Sequence, residues 1–323
     1  MKKIFLYFSI VLIMALNLSA KESEEKIETG KVKWQRDYAE SLKQAKEKNK
    51  PILILFQEVP GWQGCQKFGK EVLSHPLLVE AIEDNFIPVV VYNNKKGKDA
   101  EVLKSFKEPA WNYQVIRFLN SDGKDIISRK DKVWTLGAVA SRICEALEKL
   151  KKTVPAYIKG LALAHDNKNI KDIALSMHCF WTGEMKIGQI EGVVKTEAGF
   201  FDKKEVTRIW YDSSVIDLEK LVTEAAKVKC ANTLYLASDK EIKKVQEDKQ
   251  LRLTVKTFDS KTYKTAKASD QKRQILKSPY MKIGLNDYQL TKVNAFARVD
   301  EKKALAYLSP RQIKSLDALK VKK

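Results

Sequence analysis

Short apolar runs separated by amphipathic segments limit the folds open to the first half of this chain. The runs cover residues 51–56, 86–92 and 115–119, and a further short strand is predicted at 126–128, after a turn at 121–123. Short runs in which apolar residues do not alternate with polar ones are typical of strands buried on both faces. Helices are predicted between and around these strands at 34–48, 62–73, 76–84, 99–106 and 136–150. This alternation predicts an α/β sandwich.

A change of composition divides the chain near its middle. Residues 151–169 contain Pro155 and end in a polar stretch, so we expect a linker there, with a short helix near 157–164. About 300 residues also exceed what one hydrophobic core usually holds. The sequence therefore predicts two domains, at 32–150 and 170–323.

The second half has a different order of predicted elements. Strands are predicted at 170–177, 193–200, 205–211 and 233–236, and helices at 183–190 and 217–228. This βαββαβ order is that of the ferredoxin-like plait, an α+β fold. Further helices are predicted at 239–248, 286–299 and from Ser309 onward. We expect them to pack on the plait as a helical C-terminal extension.

The N-terminus has the pattern of an export signal. Lys2 and Lys3 precede the apolar run 4–16, and residues 18–20 supply small side chains for cleavage. This pattern predicts a signal peptide over 1–20 and a periplasmic or secreted bacterial protein with no membrane association after cleavage. A retained signal anchor is the alternative.

The chain is strongly basic, with a formal net charge of +19 and its largest excess of lysine and arginine in residues 251–323. A basic surface can attract nucleic acid or acidic polymers. The lysines are scattered and are not interleaved with aromatic residues, and an exported protein has little access to nucleic acid. We interpret them as a solvated surface and expect no nucleic-acid partner.

The four cysteines and three histidines are spaced too widely for a disulfide scaffold or a metal-ligand motif. We therefore expect neither a metal nor a cofactor, and the chemistry of single thiols becomes the question. Cys144 lies on an amphipathic helix and is predicted to belong to the core.

Cys179 is the cysteine whose position favours reactivity. It follows the predicted strand 170–177 and precedes a helix-like segment. Unpaired N–H groups and the positive end of the helix dipole lower the pKa of a thiol in such a place, which raises its thiolate fraction. The alternative is a buried structural cysteine beside Phe180 and Trp181.

Two motifs accompany the predicted elements of the first domain: residues 59–62, with the sequence VPGW, and residues 74–76, with the sequence SHP. With these motifs residues 32–150 resemble the thioredoxin-like fold, in the branch marked by VPGW and related to VPGU selenoproteins. The resemblance implies thiol redox chemistry at a CxxC loop. Here Trp62 stands at the first cysteine position and Cys65 at the second.

The departures from that family bear on the role of Cys65. Relatives in this branch carry selenocysteine at the position of Trp62, so the codon for residue 62 decides between tryptophan and a misread UGA. Gln114 stands where thioredoxins place a cis proline. Cys65 is either a monothiol redox residue or a buried small side chain.

Several motifs in the second half occur in the order found in methionine sulfoxide reductase A. They are Cys179 to Trp181 with Glu184, Gly192 to Phe200, Glu205 with Val206, Trp210 to Asp212, and Leu234 with Tyr235. Residues 171–237 therefore resemble that reductase, and the predicted domain at 170–323 adds a C-terminal extension to this part. The family's two long insertions are replaced here by the short segments 201–204 and 227–232.

The resemblance implies a peptide-methionine (S)-S-oxide reductase site. Cys179 would attack the sulfoxide sulfur, Glu205 would protonate the oxygen, and Phe180 and Trp181 would hold the S-methyl group. The resulting sulfenic acid would condense with a second thiol, for which Cys230 is the best candidate. The alternative for Cys230 is a buried cysteine at a helix end.

Three functions follow from these patterns. The leading hypothesis is an exported thiol oxidoreductase that acts on oxidised methionine in proteins or peptides and is regenerated by a thioredoxin-type reductant. The second is a non-catalytic envelope protein that keeps both folds for binding. The third is a redox or disulfide protein in which Cys65 pairs with Cys179.

Overall fold

The computed structural model describes residues 26–111, 114–165, 168–247 and 253–321. The predicted signal peptide lies outside these residues. Within them, every helix is too short or too polar to cross a bilayer.

The first domain is built on a three-stranded sheet. The strands β1 (Ile52–Gln57), β2 (Ile87–Tyr92) and β3 (Val115–Leu119) lie in the order β2-β1-β3. Strand β1 runs parallel to β2 and antiparallel to β3. Leu53 and Leu55 face one core, and Ile54 and Phe56 face the other. The apolar runs are thus strands with both faces covered, as predicted.

Helices cover both faces of this sheet, at α1 (Tyr38–Glu47), α2 (Gln63–Lys67, continued by a π-helix at Phe68–Val72), α3 (Pro76–Asn85), α4 (Lys98–Ser105) and α5 (Leu136–Lys149). The first helix begins four residues later than predicted. The reason is the side chain of Asp37, which accepts a hydrogen bond from the Glu40 N–H at 3.1 Å and caps the helix there.

The strand predicted at 126–128 is wrong. The chain instead makes a single bridge between Leu119 and Asp125, and the Ile126 N–H donates to the Phe118 carbonyl. The carbonyl of Ser128 accepts a hydrogen bond from the Arg142 guanidinium. The segment is therefore bonded to β3 at its start and to a helix side chain at its end, without the ladder of a strand.

The predicted linker contains helix α6 (Ala156–His165), which confirms the short helix expected there. Tyr157, Ile158 and Leu161 are buried in the core of the first domain. On another side, a Cβ added at Gly160 would lie 2.1 Å from Cδ1 of Tyr288 in the C-terminal region. The helix therefore packs against both halves of the molecule.

The second domain is a six-stranded sheet with strand order β8-β7-β4-β6-β5-β9. Its strands are β4 (Ile170–Ser176), β5 (Val193–Phe201), β6 (Lys204–Asp212), β7 (Thr233–Leu236), β8 (Thr254–Thr257) and β9 (Lys264–Thr265). Each of the four central strands runs antiparallel to its neighbour in the order β7-β4-β6-β5, which confirms the βαββαβ plait. Helices α7 (Phe180–Gly188) and α8 (Leu218–Lys227) pack on one face.

The extension beyond residue 237 differs from the all-helical one expected. Besides α9 (Asp239–Glu247), α10 (Asp287–Phe296), α11 (Glu301–Leu305) and α12 (Pro310–Val321), it supplies strands β8 and β9. Most side chains on these two strands are exposed, so the sequence has no apolar pattern from which to predict them. The extension also reaches the first domain, where Arg311 binds Glu80 through its N–H at 2.7 Å and Glu83 through its guanidinium at 2.6 Å.

Candidate active site at one end of the plait

The pairing of β4 with β7 places two cysteines at the same end of the sheet. Ser176 pairs with Thr233 in an antiparallel register. Cys179 follows Ser176 by three residues, and Cys230 precedes Thr233 by three residues. Because the strands are antiparallel, both cysteines extend beyond the same edge of the pairing. The N–H of Asn232 donates to the Ser176 carbonyl at 2.9 Å and holds the two segments together.

Cys179 is half-buried and caps the N-terminus of helix α7. Its backbone is extended, with φ −145° and ψ 116°, and its carbonyl accepts from the Gly183 N–H at 3.0 Å. The buried side chains of Met177 and Phe180 flank it and fix this turn. The thiol therefore lies at the positive end of a helix, as the sequence predicted, although the helix begins earlier than residue 183.

Glu205 lies beside Cys179 because of a hydrogen bond to the next residue. The Phe180 N–H donates to Glu205 Oε2 at 2.9 Å. The Glu205 carbonyl in turn accepts from the Met177 N–H at 3.2 Å. These two bonds, one on each side of residues 178–179, hold a half-buried carboxyl group next to the backbone that carries the thiol. Such an arrangement can combine a nucleophile with an acid.

Aromatic rings form an apolar wall next to Cys179. The Phe180 ring packs edge-to-face on Trp181, with centroids 6.1 Å apart, and on Phe200, with centroids 5.4 Å apart. The Arg273 guanidinium lies over the Trp181 ring at 4.8 Å. Phe180 is buried, whereas 43% of Phe200 is exposed. Phe200 therefore offers apolar surface to solvent at the edge of the site.

Sequence reasoning named no site role for Phe200, which depends on the hairpin register that pairs it with Glu205. It also missed the buried ion pair between Glu184 and Lys272. The Lys272 N–H donates to Glu184 Oε2 at 2.7 Å, and its ammonium group binds the same carboxylate. This pair fixes the inner face of α7 behind the aromatic wall. Lys272 lies 88 residues beyond Glu184 and is one of many lysines in the basic C-terminal region, so no local pattern singles it out.

Cys230 is buried, and its Sγ lies 3.5 Å from the Val228 carbonyl oxygen. Burial is the main cause that raises the pKa of this thiol; Lys186 opposes the rise and charge at Cys179 adds to it. No cysteine forms a disulfide in the part of the chain described, so Cys179 and Cys230 are both free thiols.

Cys65 belongs to a different environment. It is buried at the end of the first sheet, with its Sγ 3.6 Å from Gln114 Oε1. Burial, and next the charge of Glu58, raise the pKa of the Cys65 thiol. Trp62, at the start of the same helix, is 73% exposed. The predicted residues thus separate into a group around Cys179 and an isolated Cys65.

Cys144 is partly buried against the core of the first domain, as predicted. Burial raises the pKa of its thiol to about 12. A thiol with such a pKa is almost wholly protonated near neutral pH and is a poor nucleophile.

Comparison with known proteins identifies the first domain. Residues 33–119 match a family model described as thioredoxin-like. The thioredoxin-related protein DsbJ of Chlamydia pneumoniae is 33% identical over 94 residues, which cover 29% of this chain and 27% of that relative. This chain therefore matches about a quarter of the length of its curated relative.

Solved structures give more distant matches. A DsbH oxidoreductase is 20% identical, with a TM-score of 0.31, over 39% of this chain and 88% of its own. Methionine sulfoxide reductase A of Corynebacterium diphtheriae is 16% identical, with a TM-score of 0.26, over 38% of this chain and 80% of its own. The family match, with the sheet described above, identifies residues 33–119 as part of a thioredoxin-like domain.

Proposed function

We propose that this protein is an exported thiol oxidoreductase that reduces methionine sulfoxide in peptides or proteins, with Cys179 as the nucleophile. The observation that carries the proposal is the 2.9 Å hydrogen bond from the Phe180 N–H to Glu205, which holds a carboxyl group beside the thiol. A sulfoxide sulfur becomes electrophilic when its oxygen is protonated, so the reaction needs these two groups together. Export is proposed from the signal-like residues 1–20.

In the first step the Cys179 thiolate attacks the sulfoxide sulfur, and the Glu205 carboxyl group gives its proton to the sulfoxide oxygen. The substrate sulfur–oxygen bond breaks, and the released oxygen adds as water or hydroxide to the Cys179 sulfur while the bond between that sulfur and the substrate sulfur breaks. The substrate sulfur keeps that electron pair, gains two electrons and leaves as a thioether, and Cys179 becomes a sulfenic acid. Phe180, Trp181 and Phe200 supply the apolar surface on which the S-methyl group lies.

In the second step the Cys230 thiol attacks the sulfenic acid at Cys179. A disulfide forms and water leaves, so no further oxidant is needed. A dithiol of the thioredoxin type then reduces this disulfide and returns both thiols. The position of the two cysteines beyond one edge of the β4–β7 pairing supports this assignment.

The test incubates the protein with a dithiol reductant and a peptide that contains methionine sulfoxide. Mass spectrometry then measures the loss of the sulfoxide. We expect reduction by the wild-type protein and its loss in Cys179→Ser. The matched control is Cys144→Ser, which removes a half-buried thiol from the other domain and should retain activity. Turnover that survives Cys179→Ser, or no turnover by the reduced wild-type protein, would contradict the proposal.

A second function is favoured for the first domain. Cys65 is buried and Trp62, at the position of the attacking cysteine, is 73% exposed, which favours binding over dithiol exchange. We propose that this domain docks a partner of the redox reaction. In the folded protein Cys65 should then alkylate much more slowly than Cys179, and equal rates would favour the redox pairing of Cys65 instead.

A further inference from the structure

A groove of about 950 Å³ opens beside the β5–β6 hairpin, whose tip lies at the same end of the plait as Cys179. It is formed by the tip of the β5–β6 hairpin, the end of β8 and the segment before β9. The lining residues are Phe200, Phe201, Asp202, Lys203, Tyr235, Lys256, Thr257, Lys261, Thr262 and Lys264.

The charge of this groove is strongly unbalanced. Four lysines line it, and among its lining residues Asp202 is the single carboxylate. Asp202 is already engaged, because Lys256 donates to it at 2.7 Å and the Tyr235 hydroxyl at 3.4 Å. Lys203, Lys261 and Lys264 therefore add positive charge that no carboxylate of the groove balances. A concave basic surface favours an anionic occupant.

Phe200 connects the groove with the candidate active site. Its ring lines the groove and packs on Phe180, and its backbone pairs with Glu205 on one side and Lys264 on the other. A polypeptide that places a methionine side chain at Cys179 can therefore also contact the groove across the Phe200 ring. The residues next to that methionine would then lie over the lysines.

We infer that the groove binds an acidic segment of the substrate polypeptide next to its oxidised methionine. This inference rests on the proposed function and names the class of substrate for it. A peptide fits better than a longer polyanion, because the groove has a volume of only about 950 Å³ and shares the Phe200 ring with a site for a single side chain. Carboxylates would pair with Lys203, Lys261 and Lys264, and the Phe200 ring would contact an apolar neighbour.

The test measures binding separately from turnover. Fluorescence anisotropy with Cys179→Ser compares labelled peptides of equal length, each with one methionine sulfoxide flanked by glutamate, glutamine or lysine. We expect the glutamate peptide to bind about fivefold or more tighter than the glutamine peptide at low salt, with the difference lost near about 0.5 M salt. The lysine peptide should bind most weakly.

Reversing the charge of groove lysines tests whether they cause the preference for the glutamate peptide. Lys261→Glu with Lys264→Glu should abolish the preference for glutamate, and the milder pair Lys261→Gln with Lys264→Gln should reduce it. The matched control is Lys240→Glu with Lys243→Glu on exposed positions of α9, which packs on the opposite face of the sheet from Tyr235. The inference would be overturned if the groove pair and the control pair lost the preference for glutamate equally. It would also be overturned if Cys179→Ser itself showed no such preference. Competition by a single-stranded oligonucleotide as strong as that by the glutamate peptide would also overturn it.

Turnover separates this inference from the proposed function. A glutamate preference in binding without sulfoxide reduction would support the groove and overturn the reductase. Reduction of all three peptides with equal kcat/KM and equal affinity would support the reductase and overturn the groove.

Discussion

At the residue scale, one backbone N–H, that of Phe180, connects the two groups of the candidate site. The amide of Phe180 starts helix α7 and at the same time binds the Glu205 carboxyl group. The bond therefore links the orientation of the acid to the turn that carries the Cys179 thiol. In the proposed mechanism the thiol acts on the sulfoxide sulfur and the carboxyl group on the oxygen bonded to it.

Replacement of Glu205 by glutamine tests this link. The amide keeps an oxygen that can accept from Phe180 but cannot transfer a proton, so we expect kcat to fall by about 10²- to 10³-fold with a small change in KM. Steady-state kinetics with a sulfoxide peptide measure kcat and KM of the variant. Glu197→Gln is the control, because Glu197 lies on the adjacent strand and binds Tyr263 instead. A rate for Glu205→Gln close to that of the control would remove Glu205 from the mechanism.

Replacement of Cys230 by serine tests the second step. We expect one equivalent of sulfoxide to be reduced and the enzyme to stop as the Cys179 sulfenic acid when only a thioredoxin-type dithiol is present. A carbon-nucleophile trap and mass spectrometry would detect that species. Because burial raises the pKa of Cys230, disulfide formation in the wild-type protein should also become faster as the pH rises. Continued turnover in Cys230→Ser would assign resolution to another thiol.

At the scale of elements, helix α7 is held at its C-terminal end by a buried lysine from α10. Lys292 Nζ donates to the carbonyls of Gly188 and Ile190, both at 2.9 Å. Burial lowers the pKa of Lys292 to about 7, Lys303 adds to the decrease and Glu191 opposes it. A cation at the C-terminal end of a helix complements its dipole, so this contact steadies the helix that presents Cys179.

The pH dependence of unfolding follows from Lys292. Its pKa is lower in the folded state than in the unfolded chain, so between about pH 7 and pH 10 the unfolded state binds more protons. The free energy of unfolding should therefore rise with pH in that window, by at most about 1.4 kcal/mol per pH unit from this group. Lys292→Met should lose this slope, measured by denaturant unfolding at several pH values. Parallel pH profiles for the two proteins would contradict the assignment.

The elements that the sequence predicted well are those with a strong local pattern. The runs at β1, β2 and β3 are buried on both faces. From β4 to β7, the order of strands and helices along the chain gives the plait. Strands β8 and β9 were not predicted, because their side chains are mostly exposed and they pair with strands distant in the sequence. The false strand at 126–128 had the right composition, but its carbonyl at Ser128 is taken by Arg142.

The candidate site was predictable only in part for the same reason. Cys179 stands out through its position between a strand and a helix. Glu205 could be named through the resemblance to a known reductase, since local spacing does not link it to Cys179. Phe200 and Lys272 depend on hairpin register and on a contact across 88 residues. Long-range pairing of this kind leaves no local periodicity in a sequence.

At the scale of the whole molecule, the C-terminal extension joins the two domains through α6. Gly160 faces the ring of Tyr288, and a side chain at that position would meet it at 2.1 Å. Gly160→Ala should therefore lower the free energy of unfolding by about 1 to 3 kcal/mol. Gly64→Ala is the control, because the added Cβ there meets open space in a helix and should leave stability unchanged or slightly higher. Equal stability of the two variants, measured by denaturant unfolding, would show that this contact is loose.

The ion pair between Glu184 and Lys272 has a consequence for synthesis. A ribosome that has just released residue 237 has made every strand and helix of the central plait, together with Cys179, Glu205 and Cys230. At that moment the carboxylate of Glu184, fully buried in the finished protein, has no ammonium partner, because Lys272 has yet to emerge. Burying that lone charge would be costly. The plait that carries Cys179 and Cys230 should therefore complete its folding only after the segment beyond β9 has been synthesised.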